Sequence, residues 1–291
     1  MTKTCFKSSE QIRVHGPFVY AGYECNNRCI FCFELDPSRK PPKRSYQSLI
    51  KEIDAIREKY DFINLMGQEP TLRKDIIKMI AHAQKKNFNQ IGITTNGRMF
   101  AYGNFTKHIL DSGLDQIVVT VAGHNSKIHD LHTLAKGSFG QTLKGLKNIL
   151  SLKNEDLSLV LNIMVTQKNY QNLKEMVDFY VDLGIKEINI GHIMPLNEMI
   201  ASSKQIVAKM SKVVPFLHDC YQKHNDLAKL LFVEYPPCIL KEQCRDASFP
   251  CLEEDTSKER IPLCKYCEYT DTCVGIQEAY LLLYGDKEFK F

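Results

Sequence analysis

Across residues 17–195, short apolar runs alternate with longer stretches in which apolar residues recur every three to four positions. The runs are Phe18-Val19-Tyr20-Ala21, Phe62-Ile63-Asn64-Leu65, Ile91-Gly92-Ile93-Thr94, Gln116-Ile117-Val118-Val119-Thr120, Leu159-Val160-Leu161-Asn162-Ile163-Met164 and Glu187-Ile188-Asn189-Ile190. Their brevity and β-branched content suit buried strands, and the spacing over 46–59, 75–86 and 139–151 suits amphipathic helices. Repeated strand–helix order selects a parallel sheet wound by right-handed crossovers. Six units at roughly thirty residues each fall short of the ~250 residues typical of a closed eight-fold barrel. The expected fold is therefore α/β, a partial (β/α)6 TIM-like barrel, with its chemistry at the carboxyl ends of the strands.

A different pattern takes over near the C-terminus. Residues 236–273 are rich in cysteine, proline and charge and show little periodicity. The expected organisation is a barrel over 1–200, a linking helix within 201–235 (centred on 204–221) and a small metal-organised domain over 236–291, closed by a helix over 276–284. Eleven cysteines support this division. Three lie in 25–32 and six in 238–273, while Cys5 and Cys220 stand apart and suit inert buried thiols. Clustered cysteines in a reducing compartment more often bind metal than pair as disulfides. No apolar run approaches the ~18 residues of a membrane span, and the N-terminus lacks a secretory h-region. We therefore expect a cytoplasmic protein with no membrane partner. A net charge of +4 without a basic block gives no reason to expect nucleic acid.

The first cysteine group reads Cys25-Asn26-Asn27-Arg28-Cys29-Ile30-Phe31-Cys32. Three thiolates so spaced can hold three corners of a [4Fe–4S] cubane and leave the fourth iron open. Structural zinc would ask for a fourth ligand, and no further cysteine or histidine pair lies nearby. These residues resemble the signature of the radical S-adenosylmethionine (SAM) superfamily. The resemblance implies that SAM binds the open iron through its amine and carboxylate and is reductively cleaved to a 5′-deoxyadenosyl radical. It makes Cys25, Cys29 and Cys32 the catalytic metal ligands and sets Phe31 near the adenine. Gly67-Gln68-Glu69-Pro70 resembles the family's Gly-Gly-Glu-Pro segment, which receives the SAM amino group, with Gln68 replacing the second glycine. Thr95-Asn96-Gly97 matches a Thr-Asn-Gly found after the third strand. Thr120 and Asn162 resemble ribose or carboxylate contacts, and Lys136 stands in for a carboxylate-binding arginine. Each residue alone could be a turn glycine, a strand-end cap or a helix-dipole carboxylate. Their order after successive strands is what supports the resemblance.

In the second group, Cys264-x-x-Cys267-x5-Cys273 is a metal clamp that by itself does not choose zinc over iron–sulfur. It resembles the SPASM and twitch extensions of radical SAM enzymes, which implies an auxiliary [4Fe–4S] cluster. The fuller SPASM pattern is missing, because Val274-Gly275-Ile276-Gln277 follows Cys273. One cluster needs an upstream fourth ligand; Cys251 is the first choice and Cys238 the second.

Other side chains attract less. His124, His129 and His132 read as caps of a loop and the following helix, and His192 as a substrate contact at the barrel mouth. Tyr221, Tyr235, Tyr266 and Tyr269 read as packing aromatics, and Pro41-Pro42-Lys43-Arg44 as a solvated loop. The expected function is hydrogen abstraction by a radical SAM enzyme, with a ribosomally made peptide as first-choice substrate. Small-molecule or cofactor biosynthesis is the alternative, and a non-catalytic metal-binding protein the third reading. An external donor such as flavodoxin or ferredoxin would supply the electron. A leader peptide would have to be met by a partner or the barrel rim.

Overall fold

A computed structural model describes residues 17–32, 43–193, 203–249, 258–273 and 275–290. Strands β1 (Phe18–Tyr20), β2 (Phe62–Met66), β3 (Gln90–Thr95), β4 (Gln116–Val121), β5 (Ser158–Val165) and β6 (Glu187–His192) fall on the six apolar runs. Two more, β7 (Lys229–Val233) and β8 (Ser248–Phe249), extend the sheet. The order is β1-β2-β3-β4-β5-β6-β7-β8, with every neighbouring pair parallel and β1 unpaired to β8. The sheet is thus open, as expected, but has eight strands among the described residues rather than six. β8 is two residues long and carries no periodicity, and β7 lies directly behind a helix, so neither announced itself.

Sequential order with crossovers of one hand places the connecting helices on one face of the sheet. Those helices are α1 (Tyr46–Arg57), α2 (Ile76–Lys85), α3 (Gly103–Leu110), α4 (Ser126–Thr133), α5 (Ser138–Leu152) and α6 (Leu173–Asp182). The alternation of strand side chains then separates two environments. Leu65, Ile93, Ile117, Val119, Leu161, Ile163, Ile188 and Ile190 belong to one continuous core with the helices. The opposite face carries Asn64, Thr94, Thr120, Asn162 and Asn189, with Val118 and Val160 as a small separate apolar pair. A parallel strand buried on both faces would normally be apolar on both. Polar side chains on the inner face mark it as the ligand side.

The stretch 201–235 holds more than a linking helix. Helix α7 runs Met210–His224, later than expected because Lys209 is still extended, and β7 then joins β6. The closing segment begins as a short strand, β10 (Ile276–Gln277), antiparallel to β9 (Lys258–Glu259), before helix α8 (Glu278–Tyr284). The Tyr280 hydroxyl accepts the Met210 N–H at 2.7 Å, which returns α8 to the start of α7.

A buried ion pair fastens the cysteine-rich region to the sheet. Lys258 Nζ donates to Glu234 Oε1 at 2.7 Å, with the two side chains only 1% and 5% exposed. Glu234 follows β7 at φ 68°, and its N–H donates to Phe249 O at 2.9 Å. Removing one partner of such a pair strands the other charge, which costs about 3–5 kcal/mol. Lys258→Met should therefore lower the urea midpoint sharply, and the double variant Lys258→Met/Glu234→Gln should recover part of the loss. Equal midpoints for wild type and Lys258→Met would show the pair to be energetically idle.

Candidate active site

The Cys25–Cys32 loop leaves the end of β1 and is held from three sides. Ala21 N donates to Met66 O at 2.7 Å and Gln68 N to Gly22 O at 3.1 Å, so the β2 turn presses directly on the chain entering the loop. Gly67 sits at φ 138°, where a Cβ would lie 2.4 Å from the Gly22 carbonyl. The glycine is required by this backbone approach. Gln68 is tolerated in the second glycine position because the contact made there is through its N–H. From above, Arg28 N donates to Thr133 O and Ile30 N to His132 O, both at 2.8 Å, strapping the loop to the last turn of α4.

The third support comes from the β3 turn through a buried carboxylate. Glu69 is 2% exposed and accepts from Thr71 N (3.1 Å), Thr71 Oγ1, Thr95 Oγ1 (2.7 Å) and Asn96 N (2.7 Å). Burial pushes its pKa up, and these four donors oppose that shift. Asn96, positioned by Glu69, donates to Asn26 Oδ1 at 2.7 Å, its amide nitrogen 3.8 Å from Cys25 Sγ. Arg98 completes the clamp: Nη1 reaches Asn26 O and, at 2.8 Å, Asn27 Oδ1, while Nε donates to Gln141 Oε1 at 2.7 Å. Gly97 makes the turn at φ 77°. Glu69, Thr95 and Asn96 thus spend most of their polar atoms on one another and on the cysteine loop. Their geometry is that of a brace for the loop.

The three thiols are half-buried and mutually close. Burial, followed by Cys32 and Cys25, pushes the Cys29 thiol up to about 12; burial also raises Cys25. Such thiols stay protonated at neutral pH until a metal displaces the protons. No three His, Cys, Asp or Glu side chains among the described residues converge tightly enough for a single ion. Three thiols spread around one loop suit the corners of a cubane better than one zinc. Phe31 packs partly buried against the core beside them.

On the inner face, Thr120, Asn162 and Asn189 stand in register across β4, β5 and β6. Asn162 Nδ2 meets only Met164 Sδ, at 3.6 Å, among the described contacts. Asn189 is 1% exposed, and neither atom of its amide has a hydrogen-bond partner among the described residues. Leaving both groups unpaired costs on the order of a few kcal/mol, so a ligand contact is the economical reason for its presence. Asn189 and Arg98 were both missed from sequence. An asparagine between two strand isoleucines was the available signal for the first, and adjacency to Thr-Asn-Gly for the second.

Several expected sites are placed elsewhere. Lys136 is exposed and makes no hydrogen bond among the described residues. His192 lies on the core face, 4% exposed, with Nε2 2.8 Å from Ala208 O and its ring edge-on to Tyr235 and Tyr280; burial lowers its pKa. It is a packing residue, because β6 alternation turns position 192 with Ile188 and Ile190. The histidine triplet does not cap α4 either. Asn125 does so, its Oδ1 accepting Ile128 N at 3.0 Å, while His132 bridges Ile128 O (2.7 Å) and Thr166 Oγ1 (2.8 Å) inside the fold.

The second thiol group lines a pocket that is open to solvent. Cys238, Cys264, Cys267 and Cys273 all line it, with Pro237 and Ile261. Burial and the three neighbouring thiols push Cys238 up to about 12. Cys238, the second choice from sequence, therefore stands with the clamp. Cys251 lies outside the described residues. Cys244 is buried and turned to Lys241 O at 3.3 Å.

An open parallel sheet carries a braced three-thiol loop at the end of its first strand and a polar row on its inner face. The chain belongs to the radical SAM superfamily, whose model matches residues 19–191. A relative named probable GTP 3′,8-cyclase, from Metallosphaera sedula, is 26% identical over 182 residues, covering 59% of this chain and 53% of its own. The chain thus spans about half the length of that relative. Among solved structures, Streptococcus suis SuiB bound to precursor peptide SuiA matches with TM-score 0.60 and 15% identity, over 74% of this chain and 48% of that one. Native anSMEcpe with bound AdoMet and the Cp18Cys peptide matches with TM-score 0.62 and 12% identity, over 94% of both chains. These likenesses establish the fold. The family's [4Fe–4S] cluster and SAM are the cofactors.

Two substitutions separate bracing from binding. Glu69→Gln sets an amide N–H against the Asn96 N–H and should cost about 1–3 kcal/mol in urea unfolding; unchanged stability would remove Glu69 as the brace. Asn189→Leu should leave the midpoint of the ligand-free protein level or higher while shrinking the rise that SAM produces. A fall of several degrees without ligand would make Asn189 an ordinary structural amide.

Proposed function

We propose that this enzyme modifies a peptide by radical SAM chemistry, using a SAM-bound cluster and one auxiliary [4Fe–4S] cluster. The observation that carries the reading is the thiol-lined cavity formed by Cys238, Cys264, Cys267 and Cys273. Four cysteines lining one pocket match the four corners of a cubane, and an auxiliary cluster would relay electrons or meet the substrate. The likeness to SuiB with its precursor peptide, and to anSMEcpe with a bound peptide, favours a peptide substrate, though by analogy of fold.

When bound, the cluster and SAM supply a 5′-deoxyadenosyl radical; the protein supplies orientation and exclusion of water. Cys25, Cys29 and Cys32 would hold the cluster. Phe31 would pack beside the adenine, and the Gly67-Gln68-Glu69-Pro70 turn would receive the amino group. Thr120 and Asn162 would meet the ribose or carboxylate, Asn189 extending the same row. The apolar pair Val118 and Val160 closes the inner face below them. A one-electron donor of the flavodoxin or ferredoxin kind, and a cytoplasmic setting, complete the proposal. The second reading, a small-molecule substrate, is favoured by the relative named as a GTP cyclase.

Iron, sulfide and zinc should be measured on anaerobically reconstituted protein. About eight irons per chain, falling to about four in the Cys25/Cys29/Cys32 triple alanine variant, is the expected result. About four irons with one zinc would reduce the C-terminal region to a structural role. Cys267→Ala should lower iron but spare SAM cleavage, with product formation suffering more. Anaerobic incubation with a short peptide encoded beside the gene, read by mass spectrometry, tests the substrate class. Turnover of GTP in its place would favour the second reading.

A further inference from the structure

The solvent face of α4 is built at odds with its position. Lys127 and Leu131 stand at i and i+4 on one face of α4, and Leu134 follows as its C-cap. Leu131 is 51% exposed and Leu134 59%. A single exposed leucine needs no explanation, but two at the end of one helix form an apolar patch. Leu134 also ends α4 in the left-handed region, at φ 48°. Asparagine or glycine takes that conformation at less cost, so a leucine there is both strained and exposed.

The patch lies against the cysteine loop. The bonds from Arg28 N to Thr133 O and from Ile30 N to His132 O bracket Cys29, so the last turn of α4 is strapped directly to the loop that carries this thiol. Its surroundings are cationic. Arg28, Lys127, Lys136 and Lys168 are all exposed, and none forms an ion pair among the described residues. Lys168 is tied in because its N–H donates to Thr166 Oγ1 at 2.9 Å, the hydroxyl that meets His132. Asp130, on the same helix, spends its carboxylate on Gly137 N (2.7 Å) and Phe139 N (2.8 Å). Glu24 remains as an exposed carboxylate on the loop.

We propose that the face formed by Lys127 and Leu131 of α4 with Leu134, rimmed by Arg28, Lys136 and Lys168, docks a small acidic protein that carries one electron. The apolar pair gives a dry centre and the cations a steering rim, the arrangement of a transient interface. The inference rests on SAM cleavage by this chain. Each cleavage takes one electron from the reduced carrier, breaks the C5′–S bond, and leaves methionine and the 5′-deoxyadenosyl radical; the carrier ends oxidised by one electron and no proton moves.

The test compares two reductants on the reconstituted holoenzyme. Formation of 5′-deoxyadenosine is followed with reduced flavodoxin at limiting concentration and, separately, with dithionite, which needs no docking surface. Lys127→Glu/Lys168→Glu and Leu131→Ser/Leu134→Asn should each lose about tenfold with flavodoxin, within the range that steering supplies. Both should stay within twofold of wild type with dithionite. Leu134→Asn relieves the backbone strain, so misfolding would not explain its loss. Added salt should slow the wild type with flavodoxin and affect the charge-reversed variant little. Retained flavodoxin rates overturn the proposal, and so does equal loss with both reductants, which would make α4 a mere support of the loop. A wild type that fails even with dithionite would sink SAM cleavage itself, and the docking surface with it.

Discussion

The Glu69 carboxylate is the constraint on which the rest of the active site depends. It is buried beneath the turns after β2 and β3 and ties them together through Thr71, Thr95 and Asn96. A carboxylate so far from water is tolerated because four donors surround it. Once it fixes Asn96, the asparagine side chain reaches the cysteine loop, and Arg98, one residue past the glycine turn, clamps the loop from the same side. Gly67 adds a second tie by letting the β2 turn touch Gly22. The three thiols need no rigid element of their own, since two strand ends and the end of α4 define the loop around them.

The sheet divides its labour by residue parity. Side chains such as Ile117, Val119, Leu161 and Ile163 enter the helix-packed core and contribute stability. Their neighbours Thr120 and Asn162 face the opposite way at the same level of the sheet. The inner face can therefore be polar without opening the core, because the two faces never share a side chain. The thiol-rich C-terminal region is attached by other means: a buried Glu234–Lys258 pair, the short β9–β10 ladder, and Tyr280 bonded to the start of α7. Directional polar contacts of this kind fix a lobe that has few strand or helix residues of its own.

The first six strands, the two cysteine groups and the turn motifs were legible in the sequence because each depends on local chemistry. Apolar runs, a glycine at positive φ and a three-cysteine loop announce themselves within a few residues. The partners of these groups did not. His192 looked like a mouth residue because it ends a strand, yet the parity of β6 turns it into the core among Tyr235 and Tyr280. The histidine triplet looked like caps of a loop and the following helix, but Asn125 caps α4, and of the three His129 accepts a loop N–H, that of Ala122. Cys238 and Cys251 were not separable by spacing, since a cysteine may approach a clamp from any distance along the chain.

What the sequence determined alone is the parallel βα order, the three-cysteine loop and the resemblance to one family, all of which rest on neighbours close in the chain. The tertiary structure decided the rest: the seventh and eighth strands, the Arg98 clamp, the unpaired Asn189 amide, the approach of Cys238 to the C-terminal thiols, and the exposed face of α4 beside Cys29. Each of these joins residues brought together only by sheet register and crossover packing. Hydrogen-bond geometry and burial are properties of that assembly, and no local pattern in the chain encodes them.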